Sequence, residues 1–115
     1  HAMKYLMLVV ADPDLTTEEE PVLQIEEWGK ETSESGVNLD GDRLRPPSYA
    51  KTVRRRHGKV TVTDGPFAET HEWIAGFDIL ECETVEQAIE VATRHPMATH
   101  GTIELRPVWP LGLDH

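Results

Sequence analysis

The sequence contains a single cysteine, Cys82, so it cannot form an internal disulfide. Such an absence is typical of proteins from the reducing cytoplasm. Long hydrophobic runs are also missing: the longest one near the start, 5–11, has seven residues, far fewer than a membrane span requires. This run lacks the basic flank and the cleavage site of a signal peptide. We therefore expect a cytoplasmic protein that does not insert into a membrane.

Positive charge is scarce as well. The 11 Lys and Arg residues are outnumbered by 21 Asp and Glu residues, which gives a formal net charge of −10. This balance argues against general binding to nucleic acid or to acidic membranes. Seven of the basic residues lie between positions 43 and 59, whereas acidic residues concentrate in 18–34. We interpret this separation as a solvated basic hairpin facing an acidic helix of the same or a partner subunit, with an anion-binding rim as the alternative.

Several motifs that mark well-known sites are absent. The sequence has no glycine-rich phosphate loop and no Gly-x-Ser-x-Gly nucleophile elbow. Its histidines do not show the tight helical spacing of a metal site, and one cysteine cannot supply a thiolate site. We therefore predict no bound metal and no cofactor.

What the sequence does contain is a regular alternation of strand and helix patterns. A capping box at Thr84–Gln87 and apolar residues at Val85, Ala88, Ile89 and Ala92 predict a helix that ends before His95–Pro96. His57–Gly58 predicts the two-residue turn of a β-hairpin. The full order is strand 5–10, helix 16–36, strand 37–44, hairpin 49–63, strand 74–83, helix 84–95 and strand 102–109.

This order predicts an α+β fold of the ferredoxin-like βαββαβ type, with the hairpin inserted between its two halves. Helices should cover one face of the sheet, and a second copy of the chain is the simplest cover for the other, so we expect a homodimer. We interpret residues 1–3 as an expression remnant, 4–110 as a single domain and 111–115 as a C-terminal tail.

The stretch 62–70, VTDGPFAET, follows a predicted strand and raises the question of a binding site. Asp64, Gly65 and Pro66 are turn residues, and Phe67 could simply tuck its ring under the loop. The alternative is that the loop binds a ligand. Asp64 could then orient a ligand or accept a proton, and Glu69 could pair with it and raise one of the two pKa values.

Four segments together resemble one protein family. They are MKYLMLVVAD, LRPPSYAKTVRRRHGKVTVTDGPFAET, AGFDILECETVEQAIEVATRHP and GTIELRPV, and they are similar to the DGPF group of YCII-related proteins. The resemblance implies a dimeric α+β barrel, usually in the bacterial cytoplasm, and says little about activity. Some members of the broader family use a His–Asp dyad, but the corresponding positions here fall near Ile25 and at His95, so the resemblance does not transfer that chemistry.

The candidate site residues are therefore Asp64 and His95 for catalysis, and Asp64, Phe67, Glu69 and His71 for ligand binding. Histidine is the usual acid or base near neutral pH, although each of these residues could equally be structural or solvated.

Our first hypothesis is a small-molecule pocket between sheet and helices that brings these five residues together. The alternative is a noncatalytic dimeric regulatory or interaction module. Because DGPF-like proteins resemble ones found beside or fused to alternative sigma factors, the resemblance implies a link of such a module to sigma-factor-dependent transcription. Direct nucleic-acid binding through the basic hairpin is the weakest hypothesis because the chain is so acidic.

Overall fold

The computed structural model describes residues 2–14 and 22–111. The predicted start of the first helix, at Thr16–Thr17, lies outside these residues. The elements in chain order are β1 (Met3–Ala11), α1 (Val22–Glu34), β2 (Asn38–Arg43), a 3₁₀ turn (Pro47–Tyr49), β3 (Lys51–Arg56), β4 (Lys59–Asp64), β5 (Trp73–Cys82), α2 (Val85–Thr93), α3 (Met97–His100) and β6 (Gly101–Pro107). Among these described helices, none is long and apolar enough to cross a membrane.

Four strands form one antiparallel sheet in the order β2-β5-β1-β6. The central position of β5 follows from its sequence, because apolar side chains on both faces of a strand favour burial between neighbours. In the longest pairing, Met3 lies opposite Cys82 and Ala11 opposite Trp73. The predicted α+β architecture with antiparallel strands is confirmed.

One face of this sheet carries the hydrophobic core. Alternation along β1 buries Tyr5, Met7 and Val9, while the residues between them are only partly buried. The residues packed with these three come from α1, β5, α2 and the position just before β2: Trp28, Val37, Leu80, Cys82, Ala88, Val91 and Ala92. Each large apolar side chain buried in this way stabilises the fold by about 1.5–3 kcal/mol. Cys82 is buried as the sequence predicts, and its burial raises the pKa of the thiol.

Helix α2 begins where its capping box predicts. The Thr84 hydroxyl accepts a 3.1 Å hydrogen bond from the Gln87 backbone N–H, and the Gln87 side chain accepts one from the Glu83 N–H at 2.8 Å. The buried stripe differs from the predicted one, because Ala88, Val91 and Ala92 face the core. Val85 and Ile89 are exposed instead. Residues 88, 91 and 92 lie on one helical face, so this helix packs through small side chains.

Strands β3 and β4 form a separate two-stranded sheet. His57 and Gly58 both have positive φ angles, 53° and 77°, as a type I′ turn requires, so the predicted hairpin turn is confirmed. Val53, Val60 and Val62 share one face of this hairpin and are all exposed. The hairpin therefore presents both valines and basic side chains to its surroundings.

The sheet face opposite the helices is called the open face here. Leu6 pairs with Ile79, and Leu8 pairs with Phe77, so four apolar side chains lie side by side on it. All four are only partly buried. The open face is thus the apolar surface for which we predict cover by a second copy of the chain.

Candidate functional site

The helix-side cavity is a space of about 700 Å³ between α1 and the core face of the sheet. Its walls combine apolar and polar side chains, among them Val9, Ile25, Trp28, Asp78, His95 and Met97. A concave, mostly apolar space with a few convergent polar groups is the usual form of a small-molecule site. Two of its polar groups, Asp78 and His95, have strongly altered proton affinities.

Asp78 comes from the middle of β5 and lies on the core face, opposite Met7 of β1. Its Oδ1 accepts a 3.0 Å hydrogen bond from the Asn38 side-chain amide on the neighbouring strand β2. Gly41 makes room for this carboxylate: a Cβ at that position would clash with Asp78 Oδ1 and stand 2.7 Å from the Phe77 carbonyl oxygen. The β2–β5 pair therefore holds the carboxylate in one place at the cavity wall.

The environment of Asp78 makes its carboxyl group hard to ionise. Burial raises its pKa from 3.8 to about 6, and the nearby negative charges of Asp40 and Asp42 act in the same direction. The hydrogen bond from Asn38 opposes these effects by stabilising the ionised form. A carboxyl group with a pKa near 6 is mostly ionised at pH 7 and can take up a proton readily, which are the properties of a general base.

His95 sits in the turn between α2 and α3 and is only 7% exposed. Its Nδ1 accepts a 2.9 Å hydrogen bond from the Met97 N–H, and its ring meets Trp28 edge to face with centroids 4.7 Å apart. Burial lowers the pKa of His95 to about 4, so the ring is neutral at pH 7. Because Nδ1 is an acceptor, the proton lies on Nε2. No hydrogen-bond partner for Nε2 exists among the residues described.

Trp28 fixes the geometry of this wall from the helix side. Its indole N–H donates a 3.0 Å hydrogen bond to the Val91 carbonyl, which ties α1 to α2. One turn further along α1, the buried Thr32 hydroxyl donates to the Trp28 carbonyl at 2.8 Å and lies 3.4 Å from the Asn38 amide. A chain of hydrogen bonds thus runs from α1 through Asn38 to Asp78. Helix α1 and strand β2 together position the Asp78 carboxylate.

The 64–70 loop lies elsewhere, beside the open face. Together with Tyr49, Trp73, Ile74 and neighbouring residues it lines the loop groove, a space of about 1060 Å³. Phe67 and Glu69 both line this groove. Phe67 is 82% exposed, so its ring does not tuck under the loop as a simple turn would predict. The aromatic side chain is left available at the groove surface.

Asp64 and Gly65 have structural partners in this loop. The exposed Asp64 carboxylate forms an ion pair with Lys51 across the hairpin. Gly65 has a φ of 98°, a conformation that favours glycine. Its N–H donates to the Ala50 carbonyl at 2.7 Å, and its carbonyl accepts from the Thr52 hydroxyl at 2.8 Å. The start of the loop therefore closes the hairpin, in agreement with its turn chemistry.

His71 is exposed and lies near the end of β1. Its Nε2 stands 2.8 Å from Asp14 Oδ2 and 3.9 Å from Asp12 Oδ1. The hydrogen bond to Asp14 raises the pKa of His71 above its ordinary value. One ligand atom from each of the three side chains lies within 4.8 Å of the others, which is close enough to hold a cation. In the structure these groups satisfy one another as an ion pair.

The five residues singled out from sequence thus occupy different places. Phe67 and Glu69 share the loop groove, Asp64 pairs on the hairpin, His71 pairs with the end of β1, and His95 alone lines the helix-side cavity. The pocket that was expected to unite them is divided because the hairpin and its loop lie away from the helices. Sequence reasoning missed Asp78. A carboxylate at an inward position of a predicted central strand was the available signal.

Comparison with known proteins agrees with the resemblance of the four segments. A family model described as the YCII-related domain matches residues 3–112. The chain belongs to the YCII-related family. The chain is similar to the uncharacterized protein R00369 of Rhizobium meliloti (strain 1021), to which it is 38% identical over 68 residues. That match covers 57% of this chain and 55% of the relative, so this YCII-related chain matches about half the length of R00369.

Proposed function

We propose that this YCII-related protein binds a small molecule in the helix-side cavity, with Asp78 as the acceptor of a hydrogen bond or proton from the ligand. The observation that carries this proposal is the meeting of two oppositely shifted groups in one cavity. Burial raises the pKa of Asp78 and lowers that of His95, and strongly shifted pKa values in a cavity are a recurring feature of functional sites.

The two groups offer complementary chemistry at neutral pH. Ionised Asp78 accepts a proton or a hydrogen bond, while the neutral His95 ring can donate from Nε2 to an oxygen of the ligand. The apolar part of the wall lowers the local polarity, which strengthens both interactions. Proton transfer to or from a bound molecule is therefore the chemistry that this cavity supports best.

A fragment screen by ¹H–¹⁵N correlation NMR tests the proposal. We expect some fragments to shift the amides of Gly41, Asp78 and Met97, and Asp78→Asn to weaken those shifts. Asp64→Asn is the matched control, because it makes the same change of charge at an exposed hairpin site. A broad screen in which no fragment shifts these amides would contradict the proposal.

We propose further that the fold is ferredoxin-like and that the chain forms a homodimer through the open face. The strand order β2-β5-β1-β6 and the partly exposed apolar strip around Leu8 and Phe77 support this arrangement. Light scattering should give twice the chain mass for the unmodified protein and the monomer mass for Leu8→Glu. Ile89→Glu, on the exposed side of α2, should leave the dimer intact. A monomeric unmodified protein would refute the dimer.

A second candidate function rests on the other side of the molecule. The loop groove, with its exposed Phe67, supports the sequence-based hypothesis of a ligand near the 64–70 loop. The exposed valines of the hairpin, together with the exposed Arg55 and Arg56, support the alternative of a noncatalytic regulatory or interaction module linked to sigma-factor-dependent transcription. Charge reversal at Arg54–Arg56 should then abolish capture of a sigma factor, and unchanged capture would exclude that role for the hairpin.

A further inference from the structure

The charges around the helix-side cavity restrict what it can bind. Six charged residues border it: Glu26 and Lys30 on α1, Asp78 and Arg43 on the core face of the sheet, and Asp40 and Asp42, which lie on β2 opposite Ile79 and Phe77 of the open face. Glu26 and Lys30 stand one helical turn apart on α1, where they offset each other. Of the remaining charges, Asp40 and Asp42 lie close enough to Asp78 to disfavour its ionisation. A ligand with its own negative charge would meet the same repulsion.

Asp78 is also short of hydrogen-bond donors. Asn38 is the one side chain that donates to it within the part of the chain that the structure describes, and it does so at Oδ1. A half-buried carboxylate has room for several donors and is costly to leave unsatisfied. A protonated amine supplies both the missing donors and the missing positive charge.

The rest of the cavity suits the other parts of such a molecule. His95 is more than nine-tenths buried, lines the cavity and is neutral, so it does not repel a cation. Its Nε2–H lacks a partner among the described residues and can donate to an oxygen of the ligand. Ile25, Trp28 and Met97 provide apolar wall area for a hydrocarbon or aromatic body. A volume of about 700 Å³ accommodates a small molecule of this kind.

We propose that the ligand of the helix-side cavity is a small primary amine with an apolar body, whose ammonium group pairs with Asp78. This inference rests on the proposed function, since it names the chemical class bound at the same site. It also gives the site a pH dependence, because the pairing requires an ionised carboxylate. The charged and titratable groups around Asp78 are Asp40, Asp42 and Arg43 on β2, Glu26 and Lys30 on α1, and His95 after α2.

Three matched compounds test the class: benzylamine, benzyl alcohol and benzoate. We expect benzylamine to shift the amides of Gly41 and Asp78 at the lowest concentration, benzyl alcohol to bind more weakly and benzoate to bind least. Benzylamine affinity should fall about tenfold between pH 7.5 and pH 5, because a carboxyl group with a pKa near 6 is then mostly protonated. The benzyl alcohol affinity should change much less over this range.

Variants distinguish the ion pair between the ammonium group and Asp78 from binding of the apolar body alone. Asp78→Asn should weaken benzylamine about tenfold and leave benzyl alcohol nearly unchanged, whereas Asp64→Asn should change neither. Asp42→Asn, which removes a neighbouring charge, should weaken benzylamine to a smaller extent and serves if Asp78→Asn fails to fold. Equal or tighter binding of benzoate, or benzylamine binding that Asp78→Asn leaves unchanged, would overturn the amine class while leaving a binding cavity. Binding of none of the three, together with an empty fragment screen, would overturn both proposals.

Discussion

Asn38 donates a 3.0 Å hydrogen bond to Asp78 across two neighbouring strands, and this is the one side-chain hydrogen bond that Asp78 receives within the described part of the chain. The bond joins residues 40 positions apart in sequence. It holds an under-satisfied carboxylate at the wall of a cavity that also contains a buried neutral histidine. The candidate site therefore depends on the register between β2 and β5.

At Gly41, strand β2 approaches β5 so closely that there is no room for a Cβ atom. Gly41→Ala should destabilise the protein by about 1–3 kcal/mol, because its Cβ has to displace the Asp78 carboxylate or the β5 backbone. Gly29→Ala is the control, since a Cβ there meets no atom within 4 Å and alanine favours the helix by up to about 1 kcal/mol. Urea unfolding measures both. Equal stability of the two variants would contradict the close approach at Gly41.

The stability of the protein should show opposite pH dependences for the two site residues. The raised pKa of Asp78 means that the folded state binds its proton more tightly, so this group lowers the free energy of unfolding as pH rises from about 4 to 6. The lowered pKa of His95 means the reverse, so this group raises the free energy of unfolding as pH rises from about 4 to 6.5. The effect of His95 is on the order of 3 kcal/mol, and that of Asp78 is smaller because this half-buried group is partly screened by solvent.

The two effects oppose each other in the unmodified protein and separate in variants. Relative to the unmodified protein, Asp78→Asn should become more stable as pH rises through this window, whereas His95→Asn should become less stable. The asparagine in the second variant retains an acceptor for the Met97 N–H. Urea unfolding at pH 4.5, 5.5 and 7 checks both slopes. Parallel profiles for all three proteins would show that neither group is shifted.

The 64–70 loop should depend on its glycine more than on its aspartate. Gly65→Ala forces a non-glycine residue to a φ of 98° and should weaken the loop by about 1 kcal/mol or more. Asp64→Ala removes an exposed ion pair and should change stability by less than about 1 kcal/mol. Hydrogen exchange of the backbone amides at positions 51 and 65 reports the local effect. Faster exchange in Asp64→Ala than in Gly65→Ala would reverse this ranking.

Local chemistry predicts much of the fold. The capping box of α2, the two positive-φ residues of the hairpin turn and the apolar pattern of β5 each depend on neighbouring residues, so the sequence alone indicates them. The exposed side chain of Val85 is a feature that the local sequence pattern does not predict. Periodicity gives a helix an apolar side, but the neighbouring elements determine which part of that side is buried.

The site was harder to predict because it depends on long-range pairing. His95 was identified as a candidate, but its neighbour in the cavity, Asp78, was not. Asp78 acquires its properties from Asn38 and Asp42 on another strand and from burial on the core face of the sheet, and neither strand partner adjoins it in sequence. The 64–70 loop attracted attention through its unusual residues, and its first residues prove to serve the hairpin turn.

The measurement that tests the central claim most directly is the titration of the Asp78 side-chain carboxyl carbon by NMR. We expect a midpoint near pH 6, and we expect it to fall when benzylamine is added, because a bound ammonium stabilises the ionised carboxylate. A midpoint near the ordinary value of 3.8, unchanged by ligand, would show that Asp78 is a solvated surface carboxylate and would contradict the proposed site.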